Sequence, residues 1–455
     1  MTNNRLFGTD GIRGTFGHWP LTEELICSLG YALAKWLKCK SKNKKSFWIV
    51  IGKDTRASCD DIAGYLLNGL NQPNIKVGLA GMVPTPALAF LTQKVRADLG
   101  IMISASHNLA ADNGIKFFNR NGFKLTGKEE DQIEKLIVSF LKSKKKKSSA
   151  AKKYKSRTES IAPKHYIRHL KNCVPRLDLT GMKIVVDCAN GAVSPFAQKL
   201  FADLGADTSA LHNCPDGSNI NLNCGSLHPE HAGVYVKWKK ADIGFSFDGD
   251  GDRVILADRC GRIYHGDHIM ALIAKHFLKS GRLKNNTLVA TSMSNFGLDK
   301  FLDNIGVRLV RADVGDKFVL KKILEKKGNF GGEQSGHIIF LDHAKTGDGM
   351  LTALMVLDVL RESGKSIAEL IKGFKEYPQL IRNVKVKEKR DFKKMPGVRE
   401  KVQAAEAALK NIGRLVLRYS GTENLARIMV EGDNTRKIKR IAESIAKAIE
   451  EEIGI

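Results

Sequence analysis

Short apolar runs alternate with amphipathic stretches along most of the chain. Apolar residues recur at helical spacing over residues 21–40, and Thr22 stands where a helix N-cap is expected. Compact apolar runs at residues 47–52, 75–79 and 99–103 predict buried strands. Strands that alternate with helices predict a parallel or mixed sheet with helices on both faces. The first part of the chain is therefore predicted to be an α/β domain.

The alternation repeats twice and then changes. Strands are predicted at residues 182–188 and 243–247 in a second unit and at 287–291 in a third. After Pro378 the pattern predicts two strands and a closing helix. At 455 residues the chain exceeds what one core usually supports. We predict three similar α/β mixed-sheet domains at residues 1–141, 161–260 and 261–377, a basic linker at 142–160, and a smaller C-terminal α+β domain at 378–455.

Charge changes this picture only locally. The chain carries 74 Lys and Arg against 48 Asp and Glu, a formal net charge of +26, and such a field attracts anions. Nine of the basic residues lie between Lys142 and Arg157, where Tyr154 is the one aromatic residue. Charge runs without interleaved aromatic residues are typical of solvated linkers rather than of nucleic-acid platforms. We therefore expect no nucleic-acid partner.

Cysteine usage and hydropathy indicate a compartment. The eight cysteines are scattered without disulfide or zinc spacing, as in proteins of a reducing environment. No apolar run approaches the roughly 18 residues that a membrane-spanning helix needs. Residues 1–8 lack the apolar stretch of a signal peptide. The expectation is a cytoplasmic protein with no membrane partner.

The strand predicted at residues 99–103 runs into small and polar residues, Ser104-Ala105-Ser106-His107-Asn108. Open α/β sheets bind ligands at such strand ends, so Ser106 is a candidate nucleophile. Taken alone, the same residues are better explained as an ordinary turn. We do not expect His107 to act as the base of Ser106, because neighbours on an extended segment point to opposite faces.

Three aspartates alternate with glycines after the strand predicted at residues 243–247, as Asp248-Gly249-Asp250-Gly251-Asp252. Carboxylates brought together without a cation repel one another, and hard oxygen ligands select Mg²⁺ or a similar ion. An EF-hand is excluded, since Arg253 and Arg259 occupy positions that require Gly and Glu. A polar Asp-Gly hairpin is the alternative, and we favour the metal site.

Three further loops carry groups suited to a phosphosugar. Residues 7–14 combine three glycines with Arg13, whose donor fork suits phosphate. Residues 332–337 supply partners for sugar hydroxyls and a histidine that could transfer protons. Residues 418–427 place a small-hydroxyl turn between two arginines, as in phosphate sites. Nucleophile, metal, sugar and phosphate loops occur one per domain, which predicts four domains around a central cleft.

In combination, five segments resemble the motif set of the α-D-phosphohexomutases, in order and over nearly the whole chain. They are FGTDGIRG (7–14), SASHN (104–108), DGDGDR (248–253), GEQSGH (332–337) and RYSGTE (418–423). The resemblance implies the four-domain phosphohexomutase architecture, with three similar α/β domains and a smaller α+β domain around the cleft. It also implies an intramolecular phosphotransferase that uses one Mg²⁺ per active site and a phosphorylated serine.

Within that family, FGTDGIRG, DGSNIN (216–221) and Gln334 look most like members that interconvert glucosamine 6-phosphate and glucosamine 1-phosphate. The product of such members is a precursor of UDP-N-acetylglucosamine and bacterial cell-wall polymers. Members that act on mannose or glucose phosphates by the same chemistry are the alternative. The implied partner is a small phosphosugar, and the oligomeric state is left open between a monomer and a homodimer.

The resemblance assigns roles residue by residue. It implies that the phosphoryl group resides on Ser106 and that Lys116 and His337 are acid/base groups, with Arg13 near the transferred phosphate. The implied metal ligands are Ser106, Asp248, Asp250 and Asp252. The implied substrate-binding residues are Arg253, Glu333, Ser335, Arg418, Ser420, Gly421, Thr422 and Arg427.

Two positions depart from the family pattern, in which proline follows both SHN and GTE. Leu109 and Asn424 stand there instead. Neither change removes a chemical group, so we expect an active enzyme with looser loops. A basic nucleic-acid-binding protein on a degenerate scaffold is the alternative from another class, and the complete set of catalytic loops argues against it.

Overall fold

The structure is a computed structural model that describes residues 5–41, 43–142, 157–158, 162–420 and 423–455. Its first domain contains β1 (Ile12–Thr15), α1 (Glu23–Lys40), β2 (Phe47–Lys53), α2 (Cys59–Leu70), β3 (Ile75–Met82), α3 (Thr85–Lys94), β4 (Leu99–Ile103), β5 (Asp112–Asn119), α4 (Gly127–Lys142) and β6 (Arg157–Thr158). The strands form one sheet in the order β1-β5-β4-β2-β3-β6. The pairs β2–β3, β2–β4 and β3–β6 are parallel, whereas β5 is antiparallel to both β4 and β1.

The second domain contains α5 (Ala162–Cys173), β7 (Lys183–Asp187), α6 (Ala197–Ala202), β8 (Asp207–Leu211), α7 (Glu230–Lys239), β9 (Ile243–Phe247), β10 (Val254–Asp258) and β11 (Ile263–Tyr264). Its sheet has the order β11-β10-β9-β7-β8. The strands β9 and β10 are antiparallel, so residues 248–253 form the connection at one end of this pair. That connection is the aspartate loop.

The third domain contains α8 (Gly266–Lys279), β12 (Thr287–Thr291), α9 (Phe296–Asn304), β13 (Arg308–Ala312), α10 (Asp316–Glu325), β14 (Phe330–Gly332), β15 (Ile338–Phe340), α11 (Gly349–Ser363) and α12 (Ile367–Leu370). Its sheet has the order β13-β12-β14-β15. The strands β14 and β15 are antiparallel, and residues 333–337 connect them. That connection is the sugar loop.

The C-terminal domain contains β16 (Gln379–Lys385), α13 (Pro396–Leu409), β17 (Gly413–Tyr419), β18 (Leu425–Gly432) and α14 (Thr435–Ile453). Its sheet has the order β16-β18-β17, with both neighbouring pairs antiparallel. The chain between β17 and β18 is the phosphate loop, residues 420–424. This domain is smaller and differs in topology from the other three, as the sequence predicted.

The first three domains share a core, and the C-terminal domain has its own. One buried apolar cluster runs from Met102 and Phe118 in the first domain through Phe247 in the second to Leu288 and Met350 in the third. The buried residues of the C-terminal domain form a separate cluster around β18 and α14. Burial of apolar surface across the first three domains therefore fixes their loops relative to one another.

The predicted fold class, α/β domains followed by an α+β domain, is confirmed. Predicted strands at residues 99–103, 243–247 and 287–291 match β4, β9 and β12, and Thr22 caps α1 by accepting the Leu25 N–H. Several strands were not predicted: β1 has only four residues, β5 begins in polar, Gly-containing sequence, and β16 is largely exposed. No helix in the described ranges is both long and apolar enough to cross a membrane. Most of the predicted linker, residues 143–156 and 159–160, lies outside the described residues.

Candidate active site

Ser106 lies just after β4, at the boundary between the first two domains. Its side chain is buried, and Oγ donates a hydrogen bond to Asp248 Oδ2 at 2.7 Å. Its backbone is left-handed, with φ 54°, and its N–H donates to Ser104 Oγ at 2.9 Å. A non-glycine residue in this conformation is uncommon and carries backbone strain. The strained turn aims the hydroxyl at the aspartate loop.

Two side chains that the sequence analysis missed hold this turn. The buried Arg56 pairs with Asp54 through Nε at 2.9 Å, and its Nη2 donates to the carbonyls of Ser106 at 3.1 Å and Asn108 at 2.8 Å. Asn221 Nδ2 donates to the same two carbonyls at 2.9 and 2.8 Å. Arg56 could have been found, because it follows β2, the parallel neighbour of β4. Asn221 ends the DGSNIN segment that the resemblance singled out, but the resemblance assigned it no role in the site.

The reason for setting His107 aside was wrong. Because Ser106 is left-handed rather than extended, the two side chains lie on the same side, with His107 Nδ1 3.4 Å from Ser106 Oγ. Burial and the nearby Arg253 and Arg13 cations lower the pKa of His107 to about 4. The ring is therefore neutral at pH 7. At 3.4 Å its contact with the hydroxyl is too long for a strong hydrogen bond.

The aspartate loop brings three buried carboxylates together. The nearest ligand atoms of Asp248, Asp250 and Asp252 all lie within 4.8 Å of one another. The glycine between the first two aspartates allows close approach, since a Cβ at Gly249 would lie 2.7 Å from the Ser106 carbonyl oxygen. Gly251 has a φ of 70°, in the left-handed region that favours glycine. The Asp-Gly alternation is thus required by the curl of the loop.

The electrostatics of this loop fit a divalent cation. Burial and the carboxylates of Asp252 and Asp250 raise the pKa of Asp248 well above its usual range. Asp250 Oδ1 is buried and accepts no hydrogen bond from the described residues. Converging carboxylates with an unsatisfied oxygen are the donors that Mg²⁺ and similar hard ions prefer. The three side chains therefore form a cluster that could hold a metal ion.

Lys116 lies on β5 and reaches the same loop. Its buried Nζ lies 2.7 Å from Asp250 Oδ2, 3.0 Å from Asp10 Oδ2 and 3.6 Å from Asp252 Oδ2. Burial opposes the charge, but these carboxylates hold the pKa of Lys116 above its usual value. Arg13 also pairs with Asp10, and its Nη1 lies 3.4 Å from the Ala105 carbonyl oxygen. Both predicted cations therefore lie beside the Ser106 turn.

His337 is the last residue of the sugar loop and faces the aspartates. Its Nδ1 lies 3.5 Å from Asp252 Oδ1, and its Nε2 lies 3.6 Å from Asp316 Oδ2. Burial opposes protonation, but these carboxylates raise the pKa of His337 to about 9. The Gly347 N–H lies 2.9 Å from Nε2, a contact that favours the neutral ring with its proton on Nδ1. The two carboxylates thus favour a second proton on the His337 ring, whereas the Gly347 N–H opposes a proton on Nε2.

The sugar loop is joined to the aspartate loop. Arg253 and His337 form an antiparallel β-bridge, and the Arg253 N–H donates to Asp248 Oδ1 at 3.0 Å. Glu333 is half-buried, and its Oε1 accepts the Gly315 N–H at 3.2 Å. Burial raises the pKa of Glu333. Ser335 is exposed at the tip of the loop, where a ligand can reach its hydroxyl.

The phosphate loop lies between two arginines. Arg418 on β17 and Arg427 on β18 are directly opposite each other in the antiparallel register. Burial and the Arg427 charge lower the pKa of Arg418. Like charges directly opposite are unfavourable, and a bound anion would relieve the repulsion. Ser420 is buried and its Oγ accepts the Glu423 N–H at 3.3 Å, whereas Gly421 and Thr422 lie outside the described residues.

Comparison with protein families identifies the class. Models of the four phosphoglucomutase/phosphomannomutase domains match residues 4–142 (domain I), 164–261 (domain II), 265–377 (domain III) and 382–448 (C-terminal domain). The chain belongs to the phosphoglucomutase/phosphomannomutase family. The resemblance noted in the sequence is thereby confirmed over all four domains.

Individual relatives share one enzyme name within this family. The chain is 46% identical over 451 residues to phosphoglucosamine mutase of Geobacter metallireducens, covering 99% of both chains. It is 44% identical over 460 residues to phosphoglucosamine mutase of Koribacter versatilis, covering 99% and 98%.

Solved structures share the fold. A phosphoglucomutase/phosphomannomutase family protein of Burkholderia thailandensis matches 100% of both chains, with a TM-score of 0.80 and 23% identity. Aspergillus fumigatus N-acetylphosphoglucosamine mutase, solved with GlcNAc-6P and magnesium, matches 98% of this chain and 95% of its own, with a TM-score of 0.66 and 18% identity.

Proposed function

We propose that this chain catalyses the phosphoglucosamine mutase reaction, the interconversion of glucosamine 6-phosphate and glucosamine 1-phosphate. The observation that carries the proposal is the buried Ser106 Oγ, 2.7 Å from Asp248 Oδ2 in the acidic loop of the next domain. The relatives with that name, at 46% and 44% identity over the full chain, support the choice of sugar. The product would feed synthesis of UDP-N-acetylglucosamine.

The proposed metal is one Mg²⁺, held by Asp248, Asp250 and Asp252 with an oxygen on Ser106 as a further ligand. The support is the buried convergence of the three carboxylates and the unsatisfied Asp250 Oδ1. When bound, the ion would neutralise charge on the transferring phosphoryl group. Lys116 Nζ now lies 2.7 Å from Asp250, so metal binding would lessen its hold on that carboxylate.

The proposed carrier of the phosphoryl group is Ser106. In the first half-reaction the bond from phosphorus to Ser106 Oγ breaks as a bond from phosphorus to sugar O1 forms, and acid/base groups take the proton from O1 and return one to Ser106 Oγ. The resulting 1,6-bisphosphate then turns over and returns its 6-phosphate to Ser106. In-line phosphoryl transfer depends mainly on holding the reacting atoms in fixed positions. Arg56 and Asn221 fix the position of Ser106 by donating hydrogen bonds to its carbonyl oxygen.

Lys116 and His337 are the proposed acid/base pair. Both are buried against the aspartates, on opposite domains, so one group can serve each half-reaction. His107, 3.4 Å from Ser106 Oγ, is a neutral neighbour, and its lowered pKa makes it a weak proton acceptor. Arg13 is proposed to contact the transferred phosphate, since it lies beside the Ala105 carbonyl that precedes the nucleophile.

The proposed substrate contacts lie on the remaining loops. Glu333, Ser335 and Arg253 would bind the sugar, since the sugar loop adjoins the aspartate loop through the Arg253–His337 bridge. The non-reacting phosphate would be held by Arg418, Ser420, Gly421, Thr422 and Arg427, supported by the two opposed arginines of β17 and β18. One phosphate clamp can serve both orientations of the bisphosphate, which explains why it stands on a separate domain.

The remaining proposals concern organisation and location. We propose domain boundaries at residues 1–141, 161–260, 261–377 and 378–455, with a basic linker at 142–160 whose residues 157–158 return to the first domain's sheet as β6. The phosphosugar is a free metabolite, so a cytoplasmic location is proposed. The net charge of +26 favours the approach of this anionic substrate.

Steady-state rates on three hexose 6-phosphates test the function. The full chain, supplied with Mg²⁺ and a trace of the corresponding 1,6-bisphosphate, is compared on glucosamine, mannose and glucose 6-phosphates. We expect kcat/KM for glucosamine 6-phosphate to exceed the other two by about tenfold or more, the effect of one buried polar contact. A preference for mannose 6-phosphate would replace the substrate assignment, and no turnover on any of the three would refute the mutase proposal.

A further inference from the structure

A cluster of two histidines and one glutamate lies outside the catalytic loops, where the third domain joins the C-terminal domain. His265 caps α8, His268 lies in its first turn, and Glu376 lies in the segment that precedes Pro378 and β16. Each offers one ligand atom, and the three atoms lie within 4.8 Å of one another. His265 Nε2 is in direct hydrogen-bond contact with Glu376 Oε1.

The second histidine has an unsatisfied nitrogen. His268 is only 4% exposed, and its Nδ1 accepts and donates no hydrogen bond within the described part of the chain. Its ring packs against His265, with centroids 4.3 Å apart, and against Phe374, with centroids 4.6 Å apart. A buried polar atom without a partner is costly, and in native structures it often marks a ligand site.

We propose that His265, His268 and Glu376 bind a first-row divalent ion of the Zn²⁺ class. Two imidazoles and one carboxylate form a donor set that suits such ions better than Mg²⁺, whose ligands are oxygens. The site is separate from the aspartate cluster, since none of the three residues contacts the Ser106 turn or the aspartates within the described part of the chain.

The carboxylate of Asp267 lies near Nδ1 of His265, on the opposite side of the ring from Glu376. Its Nδ1 now accepts the Asp267 N–H at 3.2 Å, which places the ring proton on Nε2. An ion on Nε2 moves that proton to Nδ1, which then gives up the hydrogen bond from the Asp267 N–H and lies 3.9 Å from Asp267 Oδ2. Metal-bound histidines commonly donate their other N–H to such a carboxylate. The binding step is a change of tautomer, in which the metal–nitrogen bond replaces the Nε2–H bond.

The ion would fasten the segment that leads into the C-terminal domain. Tyr377, next to Glu376, already exchanges two backbone hydrogen bonds with the Asn295 side chain, at 2.9 and 3.0 Å. Binding at Glu376 adds a link to α8 on the other side of the same segment. Arg262 lies close enough to lower the pKa of both His268 and Glu376, and its positive charge weakens the binding of any cation.

The same helix supplies a matched control. His276 Nε2 on α8 lies 3.3 Å from Glu362 Oε2, a histidine–carboxylate pair that lacks a third ligand in the described structure. The Glu362 and Glu376 side chains are 66% and 52% exposed, so replacing either by glutamine leaves the core intact. Any difference between the two variants therefore reports the third ligand.

Titration calorimetry with Zn²⁺ tests the site, using the full chain in excess Mg²⁺ so that the aspartates are occupied. We expect Glu376→Gln and His268→Ala to weaken this Zn²⁺ binding by about tenfold or more, and Glu362→Gln and His276→Ala to leave it unchanged. Any Zn²⁺ that binds at cysteines or at the aspartates does so in every variant, so it does not contribute to the difference in Zn²⁺ binding between the variants. Equal Zn²⁺ affinity in Glu376→Gln and the native chain would overturn the proposal.

Hydrogen exchange gives a second readout that does not depend on His268→Ala folding. Zn²⁺ should slow exchange of the backbone amides at residues 371–378 in the native chain and in Glu362→Gln, and not in Glu376→Gln. Unchanged exchange in the native chain on adding Zn²⁺ would also overturn the proposal.

Discussion

The Ser106 turn and the phosphate loop are held in opposite ways. Ser106 is buried in a junction of shared core, and its carbonyl oxygen alone accepts hydrogen bonds from Arg56 and Asn221. The phosphate loop stands on a domain with a separate core, and Arg427, on the adjoining strand β18, is 37% exposed. Phosphoryl transfer requires atoms fixed in line, whereas recognition of a turning bisphosphate requires a clamp that can release it. The architecture separates the two requirements onto different cores.

The C-terminal domain meets the third domain through a polar contact at Arg414. Arg414 on β17 donates to the carbonyls of Ser292 and Ser294 at 2.8 and 2.7 Å, and its Nη2 pairs with the buried Glu431 at 2.7 Å. Interfaces of this polar kind permit relative domain motion more readily than a shared apolar core does. We therefore expect changes on the Ser106 side to lower kcat and changes in the phosphate loop to raise KM.

The largest expected effect is that of Ser106→Ala. Without the hydroxyl there is no phosphoryl carrier, so kcat should fall by more than about a thousandfold, while the thermal unfolding temperature stays close to that of the native chain. Ser104→Ala is the matched control, since it removes one hydrogen bond to the turn and keeps the Ser106 hydroxyl. Native rates in Ser106→Ala would exclude phosphoserine catalysis.

Arg56→Lys should disturb the position of the Ser106 turn, although Arg56 itself does not contact the substrate. Lysine keeps the charge beside Asp54 but cannot donate to the carbonyls of Ser106, Asn108, Leu109 and Asp112 together. A displaced nucleophile should lower kcat by about a hundredfold, with KM nearly unchanged. Lys53→Gln, which breaks the exposed Lys53–Asp60 pair at the end of the same strand, should change neither. A rise in KM with native kcat would show that Arg56 does not position the turn.

Asp250→Asn should change the response to Mg²⁺. It removes one of three converging carboxylates, so the Mg²⁺ concentration for half-maximal rate should rise by about tenfold to a hundredfold. The measurement is the initial rate against Mg²⁺, with the exposed Asp303→Asn as control. An unchanged Mg²⁺ dependence would count against the aspartate site.

Arg427→Gln should give the smallest effect of the four substitutions, and this effect should fall on KM rather than on kcat. Losing a charged hydrogen bond to phosphate should raise KM by about tenfold and leave kcat within about twofold. Arg440→Gln, an exposed change on α14, is the control. If Arg427→Gln lowered kcat as strongly as Arg56→Lys, the division between fixed chemistry and mobile recognition would be wrong.

Much of the fold could be predicted from the sequence because its signals are local. Apolar runs at β4, β9 and β12 and the Thr22 cap depend on neighbouring residues alone. The strand β5 escaped prediction because its start, Asp112-Asn113-Gly114, is polar, and tertiary pairing with β4 overrides that preference.

The site was predictable in its chemistry and not in its supports. The three aspartates and Ser106 could be identified from their residue types and their positions after predicted strands. The reason given for His107 failed because a left-handed residue at Ser106 cannot be read from the local pattern. Asn221 acts across 115 positions of sequence, and only the fold brings its amide to the Ser106 carbonyl.

The most direct measurement is phosphopeptide mapping of the purified full chain by mass spectrometry, before and after incubation with the sugar 1,6-bisphosphate. The account predicts one phosphate on the peptide that contains Ser106, increased by the bisphosphate and absent from Ser106→Ala. Phosphate on another residue, or an active chain that never carries phosphate at Ser106, would contradict it.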